Sequence, residues 1–256
     1  MLGGERRAGL TAGRGVSTTF GMQPIYEGKA KRLFTTDDPN VLRMEYKDDA
    51  TAFNAEKKAS FENKGKLNKA ITLLMYQMLE DKGVETHLVS DVDEINLNVK
   101  AVDILLVEVI VRNVAAGSFC KRMGVEEGRP FATPIVEFSY KSDELGDPLI
   151  NDDYARELGL ATPEECAELK RKALVVNEVL IDFFKQCGLK LVDFKIEFGR
   201  TRDADAKIVL ADEISPDTCR LWDLETGKKM DKDRFRQDLG DVMESYAEVL
   251  ERMKNL

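Results

Sequence analysis

The chain has 256 residues, 43% of them hydrophobic and 33% charged, with a formal net charge of −9. That describes a soluble globular protein of one large or two small domains, able to bury a sizeable core without staples. It excludes a surface that attracts nucleic acid as a whole, and no apolar run is long enough to span a membrane.

Residues 1–21 stand apart, with six of the 18 glycines, three arginines and one acid. They lack the apolar region of a secretory signal and read as a disordered extension, from a vector or an upstream start codon, with Met22 as the natural start. A β-rich segment follows, residues 22–103, in which "IYEGKAKRLF", "VLRMEY" and "EINLNVK" read as strands. One helix interrupts them. Leu67, Ala70, Ile71, Leu74, Met75, Met78 and Leu79 form its apolar stripe, and Gly83 closes it. "ILLVEVIVRN" is a long apolar run and reads as a central strand opening a second segment, residues 104–256. Gly117–Ser118 are placed to open a helix over 118–123. A longer helix over 163–187 carries Thr162 as N-cap, Pro163 at its first position and Glu165 to complete a capping box. Strict alternation in "LVDFKIEFG" predicts a half-buried strand with Val192, Phe194, Ile196 and Phe198 inward and Asp193, Lys195 and Glu197 on the polar face. A turn and the strand "KIVLAD" follow, and a final helix is expected over 231–254, with Phe235, Leu239, Val242, Tyr246, Val249 and Leu250 as its apolar stripe.

Four cysteines, Cys120, Cys166, Cys187 and Cys219, are widely spaced with no CxxC pair, which argues against zinc and disulfides and fits a reducing cytoplasm. His87 is the single histidine, so chemistry needing two is excluded; beside an apolar segment it reads as structural.

Gly28 before Lys29 and Lys31 would let a backbone approach phosphate, though surface lysines on an edge strand fit as well. Arg112 ends an apolar strand beside the helix opening at Ser118, a place suited to phosphate or carboxylate or to a simple exit to solvent. "DEISPDTCRLWD" packs Asp212, Glu213, Asp217, Arg220 and Asp223 around a Leu-Trp pair. If residues 200–206 turn a hairpin, Asp212 comes beside Glu197, and two carboxylates on adjacent strands suit Mg2+ bound to phosphates. A slip of one residue would undo that pairing.

Taken in order, "YEGKAKR", "VEVIVRNVAAGS", "LVDFKIEFG", "DEISPDTCRLWD" and "MDKDRFRQDLG" resemble the SAICAR synthetase (phosphoribosylaminoimidazole-succinocarboxamide synthase) family, from about Pro24 to Met253. The resemblance implies an α+β fold with an N-terminal β-rich ATP-binding lobe like a kinase small lobe, a larger C-terminal α+β lobe and ATP between them. It implies ATP-dependent ligation of L-aspartate to a carboxyaminoimidazole ribonucleotide in purine biosynthesis, through an acyl phosphate. Gly28, Lys29 and Lys31 would cover the ATP phosphates, Ala101–Ile104 would be the adenine hinge, and Glu197 and Asp212 would hold Mg2+. Lys195 would lie near the phosphates. Arg112, Ser118 and Arg220 would hold the nucleotide substrate, with Lys141, Asp193, Asp217 and Arg236 close by. Lys195 and Arg112 are the candidates for catalysis itself. The partners expected are these small molecules, with neither nucleic acid nor membrane, in a cytoplasmic homo-oligomer, a dimer. A small-molecule kinase and a non-catalytic nucleotide-binding regulator are the rival readings. A kinase would stop at a phosphorylated product; a regulator leaves Arg112, Ser118 and Arg220 unexplained.

Overall fold

The computed structural model describes residues 23–52 and 56–256, so the expectation for residues 1–21 lies outside the described residues. In chain order the first half runs β1 (Tyr26–Glu27), β2 (Lys31–Thr35), β3 (Val41–Tyr46), β4 (Asp49–Ala52), β5 (Lys57–Ser60), α1 (Lys64–Asp81), β6 (Leu88–Asp91), β7 (Asn96–Lys100), β8 (Val102–Ile104) and β9 (Val107–Val114). The second half runs α2 (Gly117–Met123), β10 (Pro130–Tyr140), β11 (Leu149–Ile150), α3 (Asp152–Glu157), α4 (Pro163–Gln186), β12 (Leu189–Thr201), β13 (Ile208–Ala211), β14 (Cys219–Asp223), α5 (Asp233–Arg236) and α6 (Val242–Lys254).

The architecture is mixed α and β, built on two antiparallel sheets. One has the order β1-β2-β3-β7-β6, and the other is built on β11-β10-β9-β12-β13. The apolar stripe of α1 becomes part of the main core, with Ile71, Met75 and Leu79 fully buried against β9, β12 and α4 residues. α4 begins with the expected capping box: Glu165 N–H donates to Thr162 Oγ1 at 3.2 Å and Thr162 N–H to Glu165 Oε2 at 2.9 Å. The apolar run at 102–114 is split at Leu105–Leu106 into β8 and β9, and β9 is central, flanked by β10 and β12.

β12 is the organising element. Its first half lies between β9 and β14; beyond Ile196 it exchanges them for β8 and β13. The expected alternation holds for Phe194, Ile196 and Phe198, which enter the main core. It fails at Val192. A bulge between Leu191 and Asp193 shifts the pairing, Leu191 joins the main core, and Val192 packs instead with Val114 and Ala116. The polar face is not open either, since Asp193 and Glu197 are 3% and 4% exposed.

The helix expected over 231–254 is two helices. The intervening residues Asp238, Gly240 and Asp241 have φ of 55°, 71° and 47°, left-handed values that no α-helix continues through. Arg234 stabilises the break by donating to the carbonyls of Gly240 at 2.6 Å and Leu239 at 2.9 Å. Leu239, assigned to the apolar stripe, is 45% exposed.

Candidate active site

Asp193, Lys195 and Glu197 are alternate residues of β12, so their side chains share a face over about 13 Å at the rise of an extended strand. Three charged centres lie along that face.

At Asp193 there is a ladder of alternating charge. Arg112 donates from Nε to Glu137 Oε2 at 2.7 Å and from Nη1 to Asp193 Oδ2 at 2.8 Å. Arg220 Nη1 reaches the same Asp193 oxygen at 2.9 Å, and its Nε donates to Asp233 Oδ2 at 2.8 Å. Arg236 Nη1 donates to Asp233 Oδ1 at 2.6 Å. β9, β12 and β14 bring the first members together, because Asp193 stands opposite Arg112 on one side and Arg220 on the other. A pocket of about 150 Å³ opens here, lined by Arg112, Asp193, Lys195, Asp217, Arg220 and Arg236. Gly117 lies against Arg220: its φ is +55°, and a Cβ there would lie 2.7 Å from Arg220 Cζ, so a side chain would be strained and would displace the guanidinium.

The middle centre is Lys195, whose Nζ lies 2.7 Å from Glu108 Oε1 and 2.8 Å from Glu197 Oε1. Lys141 also reaches Glu197 Oε1 at 2.8 Å. Burial pushes the Glu197 carboxyl up, but Lys195 and Lys141 outweigh it and hold the group well below the usual carboxylate range.

At the far end Lys31 pairs with Asp212 and, at 2.7 Å, with Glu213 Oε1. Glu197 lies opposite Ala211 in the β12–β13 ladder, so Asp212 follows directly after the residue that faces Glu197. Asp212 has φ 62°, an uncommon conformation for a residue with a side chain. α1 ties down the backbone on both sides of it: Tyr76 OH donates to the Ala211 carbonyl at 2.8 Å and Thr72 Oγ1 to that of Ile214 at 3.2 Å.

Asp217 forms a buried centre beside the pocket. Lys64 Nζ lies 2.6 Å from Oδ2, at ion-pair distance though not aligned as a hydrogen bond; Lys232 Nζ is 3.7 Å away, and Tyr246 OH donates to Oδ1 at 2.7 Å. Burial raises the Asp217 carboxyl, and Lys232 and Lys64 more than offset it, holding it well below its ordinary value.

Other expected residues lie apart from these centres. Gly28 closes a tight turn, its N–H donating to the Lys31 carbonyl at 2.9 Å. Lys29 does not run beside Lys31; it reaches Asp143 Oδ1 at 2.6 Å and is partly exposed. Ser118 is exposed, and its Oγ accepts from Arg122 Nη1 at 3.1 Å. Ile104 pairs with Gly199 in the β8–β12 ladder. His87 is buried edge-on to Tyr76, and burial lowers it to about 4, so it is neutral at physiological pH, as a structural residue should be.

Glu108, Glu137, Asp233, Lys64 and Lys232 were not singled out from the sequence. Glu108 did carry a signal, as the one charge inside the apolar run "ILLVEVIV". Glu197 and Asp212 could offer a cation two carboxylates, each paired with lysine here. Among the described residues no group of three or more His, Cys, Asp or Glu side chains could hold a metal. An ion at Glu197 and Asp212 would take its other oxygens from phosphate and water, as Mg2+ does.

Residues 24–253 match the family model described as SAICAR synthetase. The chain is 74% identical over 234 residues to a phosphoribosylaminoimidazole-succinocarboxamide synthase of Akkermansia muciniphila, covering 91% of this chain and 99% of that protein. Its fold is similar to the crystal structure of the enzyme of that name from Ehrlichia chaffeensis (TM-score 0.89, 44% identity, 91% and 99% coverage). It is also similar to a SAICAR synthetase in complex with ADP (TM-score 0.86, 48% identity, 90% and 97% coverage).

Proposed function

The chain belongs to the SAICAR synthetase family, and on that premise we propose how its residues divide the family's reaction. The protein is an ATP-dependent carbon–nitrogen ligase of purine biosynthesis that joins L-aspartate to the carboxylate of the aminoimidazole ribonucleotide. A carboxylate is a poor electrophile. In our reading one of its oxygens attacks the γ-phosphorus, ADP leaves, and the aspartate amine then attacks the acyl carbon and expels inorganic phosphate. Such chemistry needs positioning and charge neutralisation more than an acid or base.

The observation that carries this reading is the single face of β12. The arginines around Asp193 receive the nucleotide substrate, with Asp217 on the pocket wall and Ser118 following Gly117 at its margin; Lys195 and Lys141 stand at the reacting carboxylate; Glu197 and Asp212 would hold Mg2+, and Lys31 the ATP phosphates. Mg2+ would supply neutralisation of phosphate charge.

The five-stranded sheet of β1, β2, β3, β7 and β6 with α1 against it supports a kinase-like N-terminal lobe, residues 22–103, over a C-terminal lobe, residues 104–256. Ile104 supports an adenine hinge between them. Leu105 N–H donates to the Phe198 carbonyl at 2.9 Å, so by antiparallel alternation the backbone groups of Ile104 point away from β12. Gly28 and Lys29 lie on the turn before Lys31 and would cover the phosphates. Among the described residues the cysteines are free and no helix is long and apolar enough to cross a membrane; a cytoplasmic dimer is the state we propose, testable by sedimentation.

The test is isotopic. With 18O in the carboxylate of the nucleotide, one label should appear in inorganic phosphate for each ADP released, and release should require both nucleotide and L-aspartate. Unlabelled phosphate excludes the acyl phosphate; release without aspartate restores the kinase reading.

A further inference from the structure

The pocket that receives an anion in this reading is braced by a carboxylate that the arginine ladder does not need for charge alone. Asp233, 1% exposed, opens α5 and accepts from two arginines on separate oxygens, Arg220 Nε at 2.8 Å and Arg236 Nη1 at 2.6 Å. It is itself held. Its N–H donates to Asp231 Oδ1 at 2.7 Å, and Asp231 Oδ2 accepts the Leu221 N–H at 2.8 Å. Asp231 is fully buried, so the brace is tied to β14, the strand that carries Arg220. Arg220 is held on a further side by Asp193, and Gly117 lacks the Cβ that would displace its guanidinium. Both arginines line the pocket, and among the described residues nothing accepts from Arg220 Nη2 or from Nε and Nη2 of Arg236.

Two effects of such a carboxylate oppose each other. Its charge repels an incoming phosphate. Besides accepting from Gln237 Nε2 at 3.4 Å, the carboxylate holds two guanidinium groups at a set spacing against their mutual repulsion, leaving their remaining donors ready for an anion. The burial, the separate oxygens and the backbone anchoring through Asp231 favour the second effect. Resting on the function proposed above, we infer that Asp233 is a positioning residue that sets Arg220 and Arg236 for the phosphate of the nucleotide substrate.

The experiment uses the full chain. Asp233→Asn keeps the shape and removes the charge. The KM for the nucleotide and the inhibition constant of inorganic phosphate competing with it should both rise by about 10- to 100-fold, by analogy with the loss of outer partners that orient metal ligands. The KM for ATP and kcat at saturation should stay within about twofold of the starting enzyme. A fall or no change in both nucleotide parameters overturns the proposal, since charge repulsion predicts tighter phosphate binding. A lower melting temperature with an unmoved phosphate constant also overturns it, as a purely structural role. If Asp233→Asn does not fold, Asp233→Glu decides: it keeps the charge but moves it by one methylene, so a phosphate constant equal to that of the starting enzyme overturns the proposal. The unmutated protein is the control for the function itself. If its ADP release ignores the nucleotide, the reading beneath has failed, whatever the variants do.

Discussion

Lys31 and Asp212, 181 residues apart, meet as an ion pair in which the lysine of β2 closes on the carboxylate that follows β13. Glu213 shares the ammonium at 2.7 Å. The residue proposed for the ATP phosphates is thus already paired with one proposed for Mg2+. Burial alone would lower the Lys31 ammonium, but Asp212 and Glu213 outweigh it and raise it above its ordinary value, so it is charged when the nucleotide arrives.

Lys31→Ala removes that charge and leaves Asp212 and Glu213 without their shared cation. Loss of one preorganised phosphate donor should cost roughly 2.7–4 kcal/mol in ATP use, a fall of about 10²–10³ in kcat/KM for ATP. Stability should fall as well, because breaking a buried pair strands its other members. Steady-state kinetics and a melting curve measure the two separately; unchanged ATP kinetics would remove Lys31 from the phosphate site.

Glu197→Gln and Asp212→Asn test the metal. Glu197 is held ionised by Lys195 and Lys141, so its charge is present to be used. Each variant should need more Mg2+ for half-maximal ADP release, and each should bind Mn2+ more weakly with ADP present, read by paramagnetic resonance. If these carboxylates serve only to pair lysines, both curves keep their midpoints and only stability moves.

Arg112→Ala and Arg220→Ala should raise the KM for the nucleotide while the KM for ATP changes little. Lysine should not rescue Arg220, because Nε and Nη1 engage two different carboxylates in a fork that an ammonium cannot copy. Loss of ATP binding in either variant would show that the division of the site along β12 is wrong.

Asp231 gives a pH dependence. Burial, then the neighbouring Asp233, push its carboxyl up from 3.8 to about 7, against two backbone N–H donors that pull it down. The folded state therefore holds a proton that the unfolded state releases near pH 4. This group's stabilisation is full below about pH 4 and is lost as pH rises toward 7. Asp231→Asn abolishes that term, so the change in unfolding free energy between pH 4.5 and pH 7.5 should be more positive in the variant than in the starting protein. Parallel stability curves for the two proteins, measured by urea unfolding at a series of pH values, would show that Asp231 does not titrate in this range.

Local order was legible where its cause is local. Thr162, Pro163 and Glu165 announce the start of α4 because a capping box closes within four residues, and the stripe of α1 follows from helical spacing alone. The polar positions of β12 were legible for the same reason, as was the hairpin that puts Asp212 one residue past the Ala211 that faces Glu197. Even there the bulge at 191–193 escaped, since it is set by pairing with β14 rather than by the strand's own residues. The break before α6 escaped because Gly240 was outweighed by an apolar spacing on both sides, and only packing shows that Leu239 has nothing to bury against. What the tertiary structure decided is who neutralises whom. Asp193 meets Arg112 from 81 residues away, Lys195 meets Glu108 from 87, and Lys29 meets Asp143 rather than standing with Lys31. Charge acts through space, and folding brings distant parts of the chain within its reach; the sequence names the charged residues, but only the sheet order and register set them at contact distance.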